Sequence, residues 1–374
     1  MPLRIVDSQI HLWGPNTPER PWPDGREHEA QRPYPILKET LLLQMDQAGV
    51  ERAVLVPPSW EGERNDLALE AAVAHPGRFG VMGRLSLTHP GSRDLVAGWR
   101  DHADMLGMRF TFHNRHNRHL LTDGSADWLW PAAEAAGIPL MVLVPGSLDI
   151  LARIAAAHPG LRLVIDHVGI SLRPGDAAVW DELEAVCALA QHGNIAVKAS
   201  GVPHWSGEAY PFRDLHGHLR RLFDAFGPKR MFWGTDLTRM ACTYYECIHM
   251  FTDHLPWLGG SDLEWVMGRG VCEWLGWDLG ADADQPPGRS RSRALRASAM
   301  RCTRWMFAPC SQRFRFQSTR KTAGRSSESH CAVKGSSSKW AMGWSSAILR
   351  ALYRAEVSSH DGRMCSSGTN PKWR

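Results

Sequence analysis

Arg4-Ile5-Val6-Asp7-Ser8-Gln9-Ile10-His11-Leu12-Trp13 is the stretch that decides how the chain is read. Ile5 and Val6 open an extended segment whose far end carries polar groups two residues apart. Alternate side chains of a strand point the same way, so Asp7, Gln9 and His11 are expected on one side. An apolar strand that delivers polar heads at its C-terminal end is how a parallel barrel builds an active site. The same residues would also suit an edge strand with a solvated tail.

The pattern beyond this strand favours the barrel. Residues 14–35 hold six prolines, one tryptophan and many charges, and cannot form helix or sheet. A loop this long beside a first strand is expected to be a lid or pocket wall. An amphipathic helix over 36–48, closed by Gly49, leads to a buried strand over 53–56 that Pro57-Pro58 stops. The alternation then repeats. Strands are expected at 79–85, 106–112, 138–144, 161–166, 195–199 and 231–234. Helices are expected at 65–75, 92–103, 125–136, 148–157, 177–191 and 214–226, with closing helices at 242–254 and 263–275. Eight apolar strands alternating with helices predict an α/β fold, a (β/α)8 TIM barrel. A doubly wound sheet would carry a glycine-rich phosphate loop after its first strand, and the sequence has none there.

The formal net charge of +4 over 374 residues conceals a split. From Pro286 onward there are 18 basic and 3 acidic residues, with 17 serines and 14 arginines; the preceding 285 residues hold 25 basic and 36 acidic. We therefore divide the chain into a barrel, residues 1–280, and a basic Ser/Arg-rich tail, residues 281–374. Three readings of the tail compete. It is a basic arm that engages phosphates, a small folded domain, or an out-of-frame translation after a frameshift near residue 285. Its scattered Trp305, Trp340, Trp344 and Trp373 give no core pattern, and the composition changes abruptly without a linker. The frameshift reading is preferred, with a disordered tail and no specific nucleic-acid partner.

The eight cysteines show no CxxC or zinc-ribbon spacing. No leader is evident, and no apolar stretch approaches the ~18–20 residues that span a bilayer. The expectation is a cytoplasmic protein with reduced thiols, a small-molecule substrate and no membrane partner. Homo-oligomerisation is left open.

In a barrel, the residues after each strand meet over one pocket. The first strand brings Asp7, Gln9 and His11. The fourth brings Arg109, with His113 and Arg115 beyond it; the sixth brings Asp166 and His167. Lys198 and His204 follow from the seventh, and Asp236 and Arg239 from the eighth. Each alone is weak, since a lone histidine is more often structural than functional. Arg109 is harder to dismiss, because a charge inside an apolar strand needs a partner or a ligand. Arg115 sits in a polar run, 113–119, that would equally suit a solvated loop. Lys198 is either a positive charge for the pocket or a strand-end lysine reaching solvent.

Asp7-x-x-x-His11, Ile165-Asp166-His167-Val168-Gly169 and Phe232-Trp233-Gly234-Thr235-Asp236 together resemble the amidohydrolase-related family of TIM barrels. The nearer likeness is to the branch of 2-pyrone-4,6-dicarboxylate lactonase-like hydrolases and ring-acid decarboxylases, over residues 3 to 277 or so. The family's metal-binding members carry His-x-His on strand one, where this chain has Gln9-Ile10-His11. Their further His or Lys after strand five is replaced by Leu143-Val144-Pro145-Gly146. The resemblance implies a hydrolase acting on a lactone or related ester of a small carboxylated, ring-containing substrate. Asp236 would be general base, with His11 and His167 polarising the carbonyl or stabilising the oxyanion. Arg109 and Arg115 would bind the substrate carboxylate, with Gln9 and Lys198 completing the substrate site. The expectation is action without a cofactor; the alternative is one divalent metal, zinc or manganese, held by His11, His167 and Asp236. Two other functions stay open: decarboxylation of an aromatic or unsaturated acid, and a catalytically inactive barrel that serves as a binding protein.

Overall fold

The computed structural model describes residues 3–279 apart from 114, 115, 172 and 174–176. The tail expected to be disordered, residues 281–374, lies outside the described residues, and so does Arg115.

Eight parallel strands follow one another around a barrel in chain order. They are β1 (Val6–Ile10), β2 (Arg52–Leu55), β3 (Phe79–Gly83), β4 (Met105–Thr111), β5 (Leu140–Leu143), β6 (Leu163–Ile165), β7 (Ile195–Ser200) and β8 (Met231–Gly234). The helices between and after them are α1 (Lys38–Ala48), α2 (Asp66–Ala74), α3 (Ser92–Val96), α4 (Leu129–Ala135), α5 (Leu148–Ala157), α6 (Leu183–Ala188), α7 (His216–Phe226), α8 (Tyr244–Asp253), α9 (Gly260–Glu264) and α10 (Gly270–Leu275). Every strand expected from the sequence is present within a few residues of its expected bounds.

Several helices are shorter than the sequence suggests. The stretch 92–103 divides at Gly98 into α3 and a 3₁₀ turn, Trp99–Asp101, because glycine gives up backbone entropy that a helix must recover. The final helical stretch is interrupted by a π turn, Trp265–Arg269. Gly268 lies inside that turn, and a Cβ there would meet the Arg4 carbonyl oxygen at 2.6 Å. The missing side chain is what lets this turn lie against β1.

One residue from each strand (Val6, Val54, Met82, Leu106, Met141, Val164, Ala196 and Phe232) forms a buried lumen with Val271, Cys272 and Leu275 of α10. α10 thus plugs the N-terminal end of the barrel. A larger apolar layer, including Ile10, Val81, Val142, Ile165 and Val197, packs outward against the helices. Each such buried aliphatic side chain contributes about 1.5–3 kcal/mol. With the lower end plugged, the open end lies at the C-terminal ends of the strands.

The seam between β8 and β1 is closed by other means. The Asp236 N–H donates to the Gln9 carbonyl at 2.9 Å. The Asp7 carboxylate accepts the Thr235 N–H at 2.9 Å, the Thr235 hydroxyl at 2.5 Å and the Tyr244 hydroxyl of α8 at 2.8 Å.

Candidate active site

The expectation that Asp7 shares a face with Gln9 and His11 is corrected. Register breaks between Asp7 and Ile10. Val6 faces the lumen, so Asp7 turns outward to Tyr244. The irregularity then reverses the alternation, and Gln9 and His11 face inward. A bulge of this kind re-aims a side chain, and strand periodicity alone does not reveal it.

At the open end, Asp236 is fully buried between two imidazoles. Its Oδ1 is 3.1 Å from His11 Nε2 and its Oδ2 is 3.9 Å from His167 Nε2. Arg239 Nε approaches Oδ2 at 3.2 Å from the solvent side. Burial opposes ionisation of Asp236, but the His11 hydrogen bond and the neighbouring imidazoles and guanidinium outweigh it. They hold the carboxyl well below the usual carboxylate range. Asp236 and His167 both have left-handed backbones, φ 51° each, and Val168 has φ 59°. Non-glycine residues take this conformation at a cost that the surrounding structure must enforce, and such strain clusters at functional sites.

The imidazoles are oriented from behind. His11 Nδ1 lies 2.5 Å from the Val56 carbonyl oxygen, which only accepts, so Nδ1 carries the proton there. His167 Nδ1 lies 3.0 Å from Ser200 Oγ. Burial pushes the His167 imidazole down to about 4, so it is neutral at pH 7. A serine hydroxyl donating to Nδ1 would leave the ring proton on Nε2, the atom that faces Asp236.

Beneath this pair lies a buried ionic layer. Asp166 pairs with Lys198 Nζ at 2.6 Å and with Arg109 Nε at 2.9 Å. Burial opposes its ionisation, but the two cations overrule it and keep the carboxyl well below its ordinary range. Lys198 is fully buried rather than solvated, and its ammonium also donates to the Gln9 amide oxygen. Gln9 turns its amide nitrogen to His11 Nε2 at 3.2 Å. Neither Gln9 nor Lys198 lines the cleft, whereas Arg109, His11 and His167 do.

Two adjoining clefts open here, and both are lined by His167 and Arg239. One reaches Asp236, Gly201 and His204. The other reaches His11, Arg109, Thr111, His113 and, from the long proline-rich loop, Gln31. That loop is a pocket wall, as its position implied. The Gln31 amide meets the Thr238 hydroxyl, Arg32 donates to the Met240 carbonyl at 2.8 Å, and Arg20 ties the loop to buried Glu61 at 2.9 Å.

Sequence reasoning passed over Arg84, Thr111 and Trp60. Arg84 follows the apolar run of β3 directly and is buried. The signal was the one used for Arg109, a cation at the end of an apolar strand. Thr111 lies two residues beyond Arg109, on the same strand face.

His11, His167 and Asp236 comprise two imidazoles and a carboxylate, a donor set that catalytic zinc uses elsewhere. Around them, however, the Gln9 amide nitrogen lies 3.2 Å from His11 Nε2, Lys198 occupies the Gln9 oxygen, and Arg239 lies on Asp236. As arranged, these residues do not fit a metal. Among the described residues no group of three or more His, Cys, Asp or Glu side chains converges as a metal cage.

The chain is a TIM-barrel enzyme, and the comparisons place it in the hydrolase class. A family model described as amidohydrolase matches residues 6–301, and the chain belongs to that family. It is similar to an L-fucono-1,5-lactonase of Burkholderia ambifaria, 27% identical over 237 residues, covering 62% of this chain and 79% of the relative. It is also similar to a 4-sulfomuconolactone hydrolase of Rhizobium radiobacter, 26% identical over 244 residues, covering 63% and 76%. Among solved structures, an amidohydrolase from Burkholderia multivorans with bound zinc is similar with a TM-score of 0.60 and 22% identity, over 73% of this chain and 99% of that one. At that identity the likeness is one of fold. Among the described residues no helix is long and apolar enough to cross a membrane.

Proposed function

We propose that the chain hydrolyses a lactone or related ester of a small, carboxylated, ring-containing substrate, and that it does so without a metal. The observation that carries this reading is the buried Asp236 carboxylate at the open end of the barrel, 3.1 Å from His11. The similarity to two lactone hydrolases supports the substrate class. The barrel, residues 1–280, supplies every site residue invoked.

Asp236 takes a proton from a water molecule as its oxygen adds to the lactone carbonyl carbon. The carbonyl oxygen becomes an oxyanion, and the His167 Nε2–H donates to it, with Ser200 holding the ring in the required tautomer. His11, anchored to the Val56 carbonyl, stabilises the charge on Asp236. Collapse breaks the ring C–O bond, and the leaving alkoxide takes the proton from Asp236, giving a ring-opened hydroxy acid. Arg109 faces the substrate carboxylate, with Arg115 as a second candidate. Lys198 and Gln9 act from below by fixing Asp166 and His11.

The test is metal analysis of the purified protein, paired with hydrolysis of a panel of carboxylated lactones before and after chelation. Metal-free protein that opens a lactone, with kcat reduced ~10³-fold or more in Asp236→Asn, is the expected result. Stoichiometric metal with activity abolished by chelation would overturn the metal-free mechanism.

A further inference from the structure

The Thr111 hydroxyl is forced into one orientation. Its oxygen accepts from Arg84 Nη2 at 3.3 Å and from Asn117 Nδ2 at 3.4 Å. A hydroxyl has two lone pairs and one proton. With both lone pairs engaged, the proton must be donated, and among the described residues nothing accepts it. Thr111 is buried and lines the cleft, so the proton is directed there.

A second observation points the same way. Arg84 follows lumen-facing Met82 by two residues, which places its side chain inside the barrel. It is 94% buried, because its relative exposure is 6%. Its Nε and Nη1 have no hydrogen-bond partner, and among the described residues no carboxylate forms an ion pair with it. Glu63 and Asp166 favour its charge only from beyond ion-pair distance. A buried guanidinium with unpartnered N–H groups is costly unless a ligand engages it. His113, two residues beyond the end of β4, also lines this side and has an unpartnered Nδ1.

We infer that Thr111, backed by Arg84, forms an oxyanion-binding end of the cleft on the β3–β4 side, and that the substrate seats a carboxylate there while its reacting carbonyl faces Asp236. This rests on the lactone-hydrolase reading for the identity of the reacting group, but not for the anion site. It also fixes the substrate's direction, with the anionic end toward β3 and β4 and the scissile end toward β1, β6 and β8. Arg84 is a positioning residue that acts through Thr111.

Two measurements test this. The first is calorimetric titration of wild type, Thr111→Val, Thr111→Ser and Arg84→Met with tetrahydropyran-2-carboxylate, a ring acid that cannot be hydrolysed, and with neutral tetrahydropyran as control. The expected result is saturable binding of the acid to wild type, affinity reduced ~10–100-fold in Thr111→Val and Arg84→Met, and affinity within ~3-fold of wild type in Thr111→Ser. The second is the ratio of kcat/KM for a carboxylated lactone to that for its neutral parent ring, expected to fall by a similar factor in Thr111→Val and to be restored in Thr111→Ser. If wild type opens no lactone, the proposed reaction fails while the titration still decides the anion site. Absence of acid binding to wild type overturns the inference, as does an equal loss in the valine and serine variants. If Thr111→Val does not fold, the comparison of Arg84→Met with wild type decides.

Discussion

The backbone N–H of Asp236 donates to the carbonyl oxygen of Gln9 at 2.9 Å. The bond that joins the last strand to the first therefore also places the proposed base. Asp236 and the inward-facing Gln9 and His11 thus meet where the barrel closes, and the Asp236 backbone is left-handed there.

Substitutions at Asp236 should separate chemistry from backbone. Asparagine tolerates left-handed φ about as well as aspartate, whereas valine does not. Asp236→Asn should fold yet lose activity. Asp236→Val should cost a further ~1–2 kcal/mol of stability relative to the asparagine variant. Urea denaturation of the two side by side checks this, and equal stabilities would show that the backbone is not held at positive φ.

Asp7 gives a pH-dependent stability prediction. Its burial pushes the carboxyl up to about 6, against the downward pull of the Thr235, Gln9 and Tyr244 hydrogen bonds. The folded state then binds a proton more tightly than the unfolded chain, whose carboxyl keeps its ordinary 3.8. That contribution is fully present below 3.8 and is lost as pH rises toward about 6. The stability of wild type minus that of Asp7→Asn should therefore fall by up to ~3 kcal/mol across this window and then level off. The depressed carboxyls of Asp166 and Asp236 act oppositely, but cancel in the difference. A difference that rises with pH would reverse the assignment.

Activity should show the opposite side of the same chemistry. Asp236 is held well below the usual carboxylate range, and His167, at about 4, is neutral. Protonation of Asp236 would remove the base, so kcat/KM should fall only in acid. The rate should be flat over roughly pH 5 to 8. A pH–rate profile with an acid limb centred between ~6 and 7 would instead point to a histidine as the group that must lose a proton.

Most of the architecture was legible in the sequence, because eight apolar runs with helices between them leave few alternatives to a barrel. His11, Arg109, His167 and Asp236 were legible for a related reason: each is polar at the end of an apolar strand. Asp7 was misplaced because a bulge reverses alternation without any mark in local composition. Lys198 could not be assigned because its partner, Asp166, is distant in sequence and the pairing needs the closed sheet. Arg84 was hidden by the expectation that β3 runs to Leu85, which absorbed a cation into a strand that ends at Gly83.

The ionic layer beneath the site supports a last prediction. Asp166 holds both Lys198 and Arg109, so its loss and the loss of Lys198 are not equivalent. In Lys198→Met the carboxylate keeps the Arg109 contact at 2.9 Å. In Asp166→Asn two buried cations lose their shared counter-charge and repel each other. Breaking a buried pair by removing one member costs about 3–5 kcal/mol. Lys198→Met should lie at the low end of that range and Asp166→Asn at or above the high end. A carboxylate ligand would supply part of the missing negative charge. Thermal melting of Asp166→Asn with and without tetrahydropyran-2-carboxylate should therefore show a larger stabilising shift than wild type. If Lys198→Met is the less stable variant, or the ligand shift is no larger than in wild type, Asp166 is not the shared counter-ion of this layer.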